Sequence, residues 1–118
     1  MSMVVVAGAV LECSHGGRIT VGSGDARLTV DGRGAVPAGA EAGLSFASAS
    51  PPCTNTAPGP KPAPCTTGAA LPGGAAKNLA VGGRPVLLAT ANGLTTSKGG
   101  QPGTWKVADA GQTTLEAS

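Results

Sequence analysis

The sequence predicts a small, mainly β, loop-rich domain that relies on a metal staple. Three observations point there. Gly supplies 20 and Pro 10 of the 118 residues, so turns punctuate every long stretch and extended helices are disfavoured. Hydrophobic residues make up 41% of the chain, but many are Ala, the only aromatics are Phe46 and Trp105, and there is no Tyr. Small side chains offer little of the ~25 cal/mol per Å² that apolar burial yields, so a conventional two-layer core is hard to build. Third, every Cys and the only His, namely Cys13, His15, Cys53 and Cys65, belong to residue types that bind metal. The length fits one domain. A charged fraction of 12% and a positive mean hydropathy argue against plain disorder.

Taken in order, Val4 to Cys13 reads as a first strand, because Val4, Val5 and Val6 are β-branched. Gly16-Gly17 is a turn, and Arg18 to Val21 a second short strand. Ser23-Gly24-Asp25 turns the chain into Ala26 to Val30, where Leu28 and Val30 alternate with Arg27 and Thr29 as in a half-buried strand. Asp31-Gly32 is a hairpin signal. Ala35 to Phe46 holds strand pieces interrupted by Gly39 and Gly43. Ser50 to Pro64 carries Pro51, Pro52, Pro58, Pro60, Pro62 and Pro64. Proline lacks the ladder donor, so this is a stiff extended loop; Cys53 and Cys65 anchor it, against the alternative of an interdomain linker. Lys77 to Val81, Arg84 to Thr90 and Thr104 to Val107 are further strands, separated by Gly82-Gly83, Asn92-Gly93 and Gly99-Gly100. Ala108 to Ser118 reads as a tail.

Leu28-Thr29-Val30-Asp31-Gly32-Arg33 matches Leu79-Ala80-Val81-Gly82-Gly83-Arg84 at four of six positions, and Val4 to Ala9 shares the Val and Gly of that frame. Any short hairpin can look like this. The sharper reading is a fold of about three similar β-units around an axis.

Charge excludes some functions. The formal net charge is +2, with basic residues dispersed from Arg18 to Lys106. No basic stripe with stacking aromatics is present, so nucleic acid is not an expected partner. The apolar run Met3 to Leu11 is too short to span a bilayer and has no Lys or Arg before it, so it is not read as a signal peptide. Synthesis in the cytoplasm with reduced thiols is expected, and an odd count of three Cys agrees.

Cys-Ser-His places two ligands at i and i+2, on one side of an extended segment. With Cys53 and Cys65 they make a tetrahedral structural zinc shell, and such sites supply roughly 10 kcal/mol or more of folding free energy. Iron remains an alternative metal. No C-x-x-C knuckle is present, so a Cys53–Cys65 disulfide with Cys13 as a buried thiol and His15 at the surface remains open, as do unrelated cysteines. A closed four-ligand shell argues against catalysis. Glu12 adjoins Cys13, but the P-C-x-x-C half of a zinc-deaminase pattern is missing and a strand would turn Glu12 away.

In this order, the motifs resemble those of the PAAR-repeat and PAAR-like spike-tip proteins of contractile injection systems, found in type VI secretion, phage tails and extracellular particles. The residues are Val6-Ala7-Gly8-Ala9 leading into Cys13-Ser14-His15-Gly16-Gly17, then Leu28 to Arg33, the Cys-bearing proline loop, and Leu79-Ala80-Val81-Gly82-Gly83-Arg84-Pro85. A literal Pro-Ala-Ala-Arg is absent; Val36-Pro37-Ala38-Gly39 and Gly83-Arg84-Pro85-Val86 stand nearest. The resemblance implies a small cone of short β-hairpins in pseudo-threefold arrangement over residues 1–110, with 111–118 as a C-terminal tail. It implies a structural Zn2+ near the apex on Cys13, His15, Cys53 and Cys65. It also implies one tip per trimeric β-helical spike, transient contact with a target membrane on firing, and effector cargo as an optional attachment. The particle would be cytoplasmic or released. On this reading the protein is no enzyme. The alternative is a free-standing structural zinc-binding interaction module; a metal-dependent hydrolase would need an open coordination site and a cleft.

Overall fold

The computed structural model describes residues 2–47, 53–57, 61–71, 73–97, 100 and 103–117. Among them there are thirteen short strands and no helix. They are β1 (Ser2–Met3), β2 (Val10–Cys13), β3 (Arg18–Thr20), β4 (Asp25–Val30), β5 (Arg33–Ala35), β6 (Thr56–Ala57), β7 (Lys61–Pro62), β8 (Thr66–Ala70), β9 (Ala75–Val81), β10 (Arg84–Leu87), β11 (Asn92–Thr96), β12 (Gly103–Asp109) and β13 (Glu116–Ala117). The molecule is elongated, 46 × 25 × 21 Å. Of the proline loop, Pro51, Pro52, Pro58 and Pro60 lie outside the described residues, while Pro62 sits in β7.

The hairpins legible in the sequence form. Asp31 and Gly32 have φ of 53° and 80°, Gly82 and Gly83 of 60° and 81°. Positive φ at both central residues is the turn that matches strand twist. Val30 therefore faces Arg33, and Val81 faces Arg84.

The expected first strand does not run from Val4 to Cys13. Gly8, at φ 93°, turns the chain within it, and only Val10–Cys13 joins a continuous ladder. Val4, Val5 and Val6 are fully buried and bond to different neighbours. Val5 N–H donates to Leu87 O (2.9 Å), Leu87 N–H to Val36 O (2.8 Å) and Val36 N–H to Val5 O (2.9 Å), closing a ring of three segments. Two residues on, Ala7 donates to Gly34 O, Ala38 to Pro85 O and Ala89 to Met3 O. Two further, Ala9 donates to Val6 O, Ala40 to Pro37 O and Ala91 to Leu88 O, each closing a tight turn. All six donors of these outer layers are Ala, whose single methyl lets three backbones run close together.

A five-stranded antiparallel sheet, ordered β3-β2-β12-β11-β8, carries the rest. Its members β8 and β11 are absent from the sequence reading, which makes Asn92-Gly93 a turn. Gly93 instead faces Trp105 across the ladder. A Cβ there would lie 2.5 Å from the indole Nε1 and 2.8 Å from Ala69 O, so glycine makes room for the indole. Trp105 is 1% exposed and its Nε1–H donates to Gly68 O at 3.0 Å.

The core is larger than the composition suggests. One cluster gathers Val5, Leu11, Val36, Phe46, Leu87 and Trp105 with Cys13 and Cys65. A second gathers Val4, Val6, Val30, Val81, Val86 and Ala117, with Leu28, Leu79 and Leu115 against it. The segment read as a tail belongs to this second cluster. Ser2 pairs with Ala117 and Met3 with Glu116. The buried Gln112 donates through Nε2 to Val4 O and Leu115 O, both at 2.8 Å, and its Oε1 accepts from Thr114 and Leu115 N–H. Gln112→Ala leaves those buried groups unpaired and is expected to destabilise the whole domain by about 1–3 kcal/mol in urea unfolding. Unchanged unfolding would show that the C-terminal segment is separable.

Candidate metal centre

The turn after β2 builds half of the centre. Gly16 N–H donates to Cys13 O at 3.0 Å, with Gly16 at φ 83°, and Cys13 N–H donates to Gly17 O at 2.9 Å. This fold-back brings His15 round to Cys13. The two ligands therefore meet through a turn, where the sequence suggested an extended strand with the i, i+2 side chains on one side.

Gly17 admits the second half. A Cβ on Gly17 would lie 2.9 Å from both Cα and Cβ of Cys53. Thr54 then locks the approach, donating to His15 O from its N–H (3.0 Å) and from its Oγ1–H (2.7 Å). Cys65 is held where the β6–β7 hairpin feeds β8; its carbonyl accepts from Phe46 N–H at 2.8 Å.

All four donor atoms, from Cys13, His15, Cys53 and Cys65, lie within 4.8 Å of one another. Cys13 Sγ is 3.4 Å from Cys53 Sγ, Cys53 Sγ 3.5 Å from Cys65 Sγ, and His15 Nδ1 3.3 Å from Cys65 Sγ. With Zn–S of about 2.3 Å and Zn–N of about 2.0 Å, neighbouring donors of a tetrahedral zinc shell lie about 3.5–3.8 Å apart. The set fits such an ion with small adjustments, and three sulfurs with one imidazole suit a thiophilic cation.

The electrostatics fit as well. Burial pushes the Cys13 thiol up to about 11, and the adjacent Cys53 sulfur adds to the rise. Cys65 is raised first by burial, which the Thr95 hydroxyl opposes. Cys53 is desolvated too, but backbone N–H groups of Asn55 and Cys65 outweigh that and hold it below the usual thiol value. Buried thiolates crowded this closely repel one another, and a bound divalent cation offsets that cost. Surrounding donors are in place: Gly17 N–H points at Cys13 Sγ (3.2 Å) and Asn55 Nδ2 at Cys65 Sγ (3.6 Å). The Asn55 side chain also bonds Ser97 Oγ at 3.0 Å, and the buried Thr95 hydroxyl lies beside the Cys65 sulfur. Such outer groups orient ligands and tune the ion.

The four sequence candidates thus converge. Asn55 and Thr95 are supports that the sequence reading does not single out, and Gly17, read there as a turn residue, also admits Cys53. A polar residue two positions after Cys53 and a second Gly after His15 were the available signals. Glu12 stands apart, paired with Arg18 at 2.8 Å on the other face of β2. A cleft of about 290 Å³ beside the centre is lined by Glu12, Cys13, Ser14, Gly16, Thr104, Trp105 and Lys106. No family model matches the chain, and no curated protein or solved structure shows significant similarity to it.

Proposed function

We propose that the protein is a non-enzymatic, zinc-stapled tip that caps a trimeric β-helical spike in a contractile injection machine. The observation that supports this most is the closed ring of Val5, Val36 and Leu87, repeated in the two layers of Ala donors. Three segments of one chain, at like positions about one axis, give a single copy a pseudo-threefold base that matches three identical spike chains. Each segment then runs toward the metal centre: one reaches Cys13, one reaches Thr95, and one reaches Phe46 bonded to Cys65. In this reading the domain is a cone with the zinc at its apex, a closed four-ligand shell that gives rigidity and leaves no position for catalysis.

The test is stoichiometry. Native mass spectrometry of the chain mixed with a trimeric β-helical spike protein is expected to show one copy per trimer. Binding should change little with salt, since the net charge of +2 is small and dispersed. A three-to-three complex, or no complex at all, would overturn the reading and leave a free-standing zinc module.

A further inference from the structure

We propose that Cys53 and Cys65 are also a modification site, a latent disulfide that a peroxide closes. The inference rests on the metal reading only for what oxidation displaces; the bond itself depends on the thiols alone.

Backbone register selects this pair. In the β6–β7 hairpin Thr56 faces Pro62 and Ala57 faces Lys61, and Ala63 N–H donates to Asn55 O at 3.0 Å. That pairing leads back to Cys53 and Cys65 at its two ends, and the Cys65 backbone N–H reaches the Cys53 sulfur. The sulfurs are 3.5 Å apart and need to close to about 2.05 Å. Cys13 is nearly as close to Cys53, at 3.4 Å, but it is tied into a different sheet, with its Sγ accepting from Gly17 N–H and its backbone bonded to Gly17 O. Of the three, Cys53 alone is half-buried, while Cys13 and Cys65 are buried. Cys53 is therefore the sulfur an oxidant reaches, and Cys65 the one that resolves it.

The chemistry balances with a peroxide as two-electron oxidant. The Cys53 sulfur attacks one peroxide oxygen, the O–O bond breaks, and the departing hydroxide takes a proton to become water. The Cys65 sulfur then attacks the Cys53 sulfenic acid; the S–S bond forms, the S–O bond breaks, and a second water leaves. Both electrons come from the two thiols. Cys13 and His15 remain as only two donors, too few to keep the ion, while the hairpin stays closed by a covalent bond. The staple is exchanged for another, which suits a domain moving between reducing and oxidising surroundings.

The experiment treats the full, folded chain with hydrogen peroxide as purified. Thiol titration under denaturing conditions is expected to fall from three per chain to one, with a mass two hydrogens lighter and peptide fragmentation placing the bond at Cys53–Cys65. In the metal-loaded sample a chromogenic chelator should register release in step with thiol loss. Cys13→Ser should still form the bond, and Cys53→Ser should keep both of its thiols. A bridge that includes Cys13, sulfinic acid on Cys53 without a bridge, or three surviving thiols would each overturn the proposal. If the purified protein holds no metal and takes up none, the metal reading fails while the bond formed in that same folded sample still decides this one.

Discussion

Stripping the metal is expected to unfold the domain, and Cys65→Ser is expected to prevent folding at ordinary temperature. Structural zinc contributes roughly 10–16 kcal/mol in small modules, against a net stability of about 5–15 kcal/mol for a typical domain. Here the dependence is sharpened by where the ligands sit. Cys13 ends β2, Cys65 precedes β8, and both belong to the larger buried cluster, so an ion held there would tie β2 and β8 of the five-stranded sheet to the hairpin between Cys53 and Cys65. Far-ultraviolet circular dichroism and thermal melts with and without a strong chelator, followed by zinc readdition, check this. A melting temperature that chelation leaves unchanged, in protein shown by elemental analysis to be metal-free, would mean that the apolar clusters suffice.

The second large effect is expected from a single methyl group. Gly17→Ala places a Cβ 2.9 Å from the Cα and Cβ of Cys53, backbone-anchored atoms that cannot swing aside. The turn at 16–17 or the segment at 53–54 has to move, and the two His15 carbonyl bonds from Thr54 are lost with it. Overpacking costs typically about 1–3 kcal/mol, and displacing a ligand adds much of the metal's contribution. Gly16→Ala is the control. Gly16 has φ 83°, but among the described residues nothing lies within 4 Å of its added Cβ, so the change costs only the backbone preference and the metal stays. That preference is about 1–2 kcal/mol. Cobalt substitution separates the two: the thiolate charge-transfer bands should persist in Gly16→Ala and vanish or shift in Gly17→Ala. Identical spectra in both would show that Cys53 tolerates the displacement.

The cluster of Cys13, His15, Cys53 and Cys65 was legible because three thiols and one imidazole have few other uses in a chain this poor in core. The Asp31-Gly32 and Gly82-Gly83 hairpins were legible because left-handed turns demand those residues. The match between Leu28–Arg33 and Leu79–Arg84 holds in the structure, as both are strand, turn and strand in one register. Val4–Ala9, which shares the Val and Gly of that frame, belongs elsewhere: its bonding partners include residues at 34–36 and 87–89. The signal for that was Val6-Ala7-Gly8-Ala9, Pro37-Ala38-Gly39-Ala40 and Leu88-Ala89-Thr90-Ala91, alternating Ala in three places. It was hard to see because the backbone makes these contacts, and the side chains only have to be small. Strands β8 and β11 were missed for a related reason. Thr, Gly and Ala make up most of them, and Gly93 reads as a turn residue. Its place in a ladder is set by the indole of Trp105 on the neighbouring strand, a tertiary contact that local pattern does not carry.

The pairing of Ser2 with Ala117 makes the path of the chain through this architecture nearly circular. Ala117 faces Ser2 as Val30 faces Arg33 and Val81 faces Arg84, and Leu115 packs on the second cluster as Leu28 and Leu79 do. Two of these strand pairs are joined by a two-residue turn; in the third, the paired residues Ser2 and Ala117 are far apart in sequence. A circular permutant with residues 118 and 1 joined and the chain opened between Asp31 and Gly32 would follow the same path through the ring.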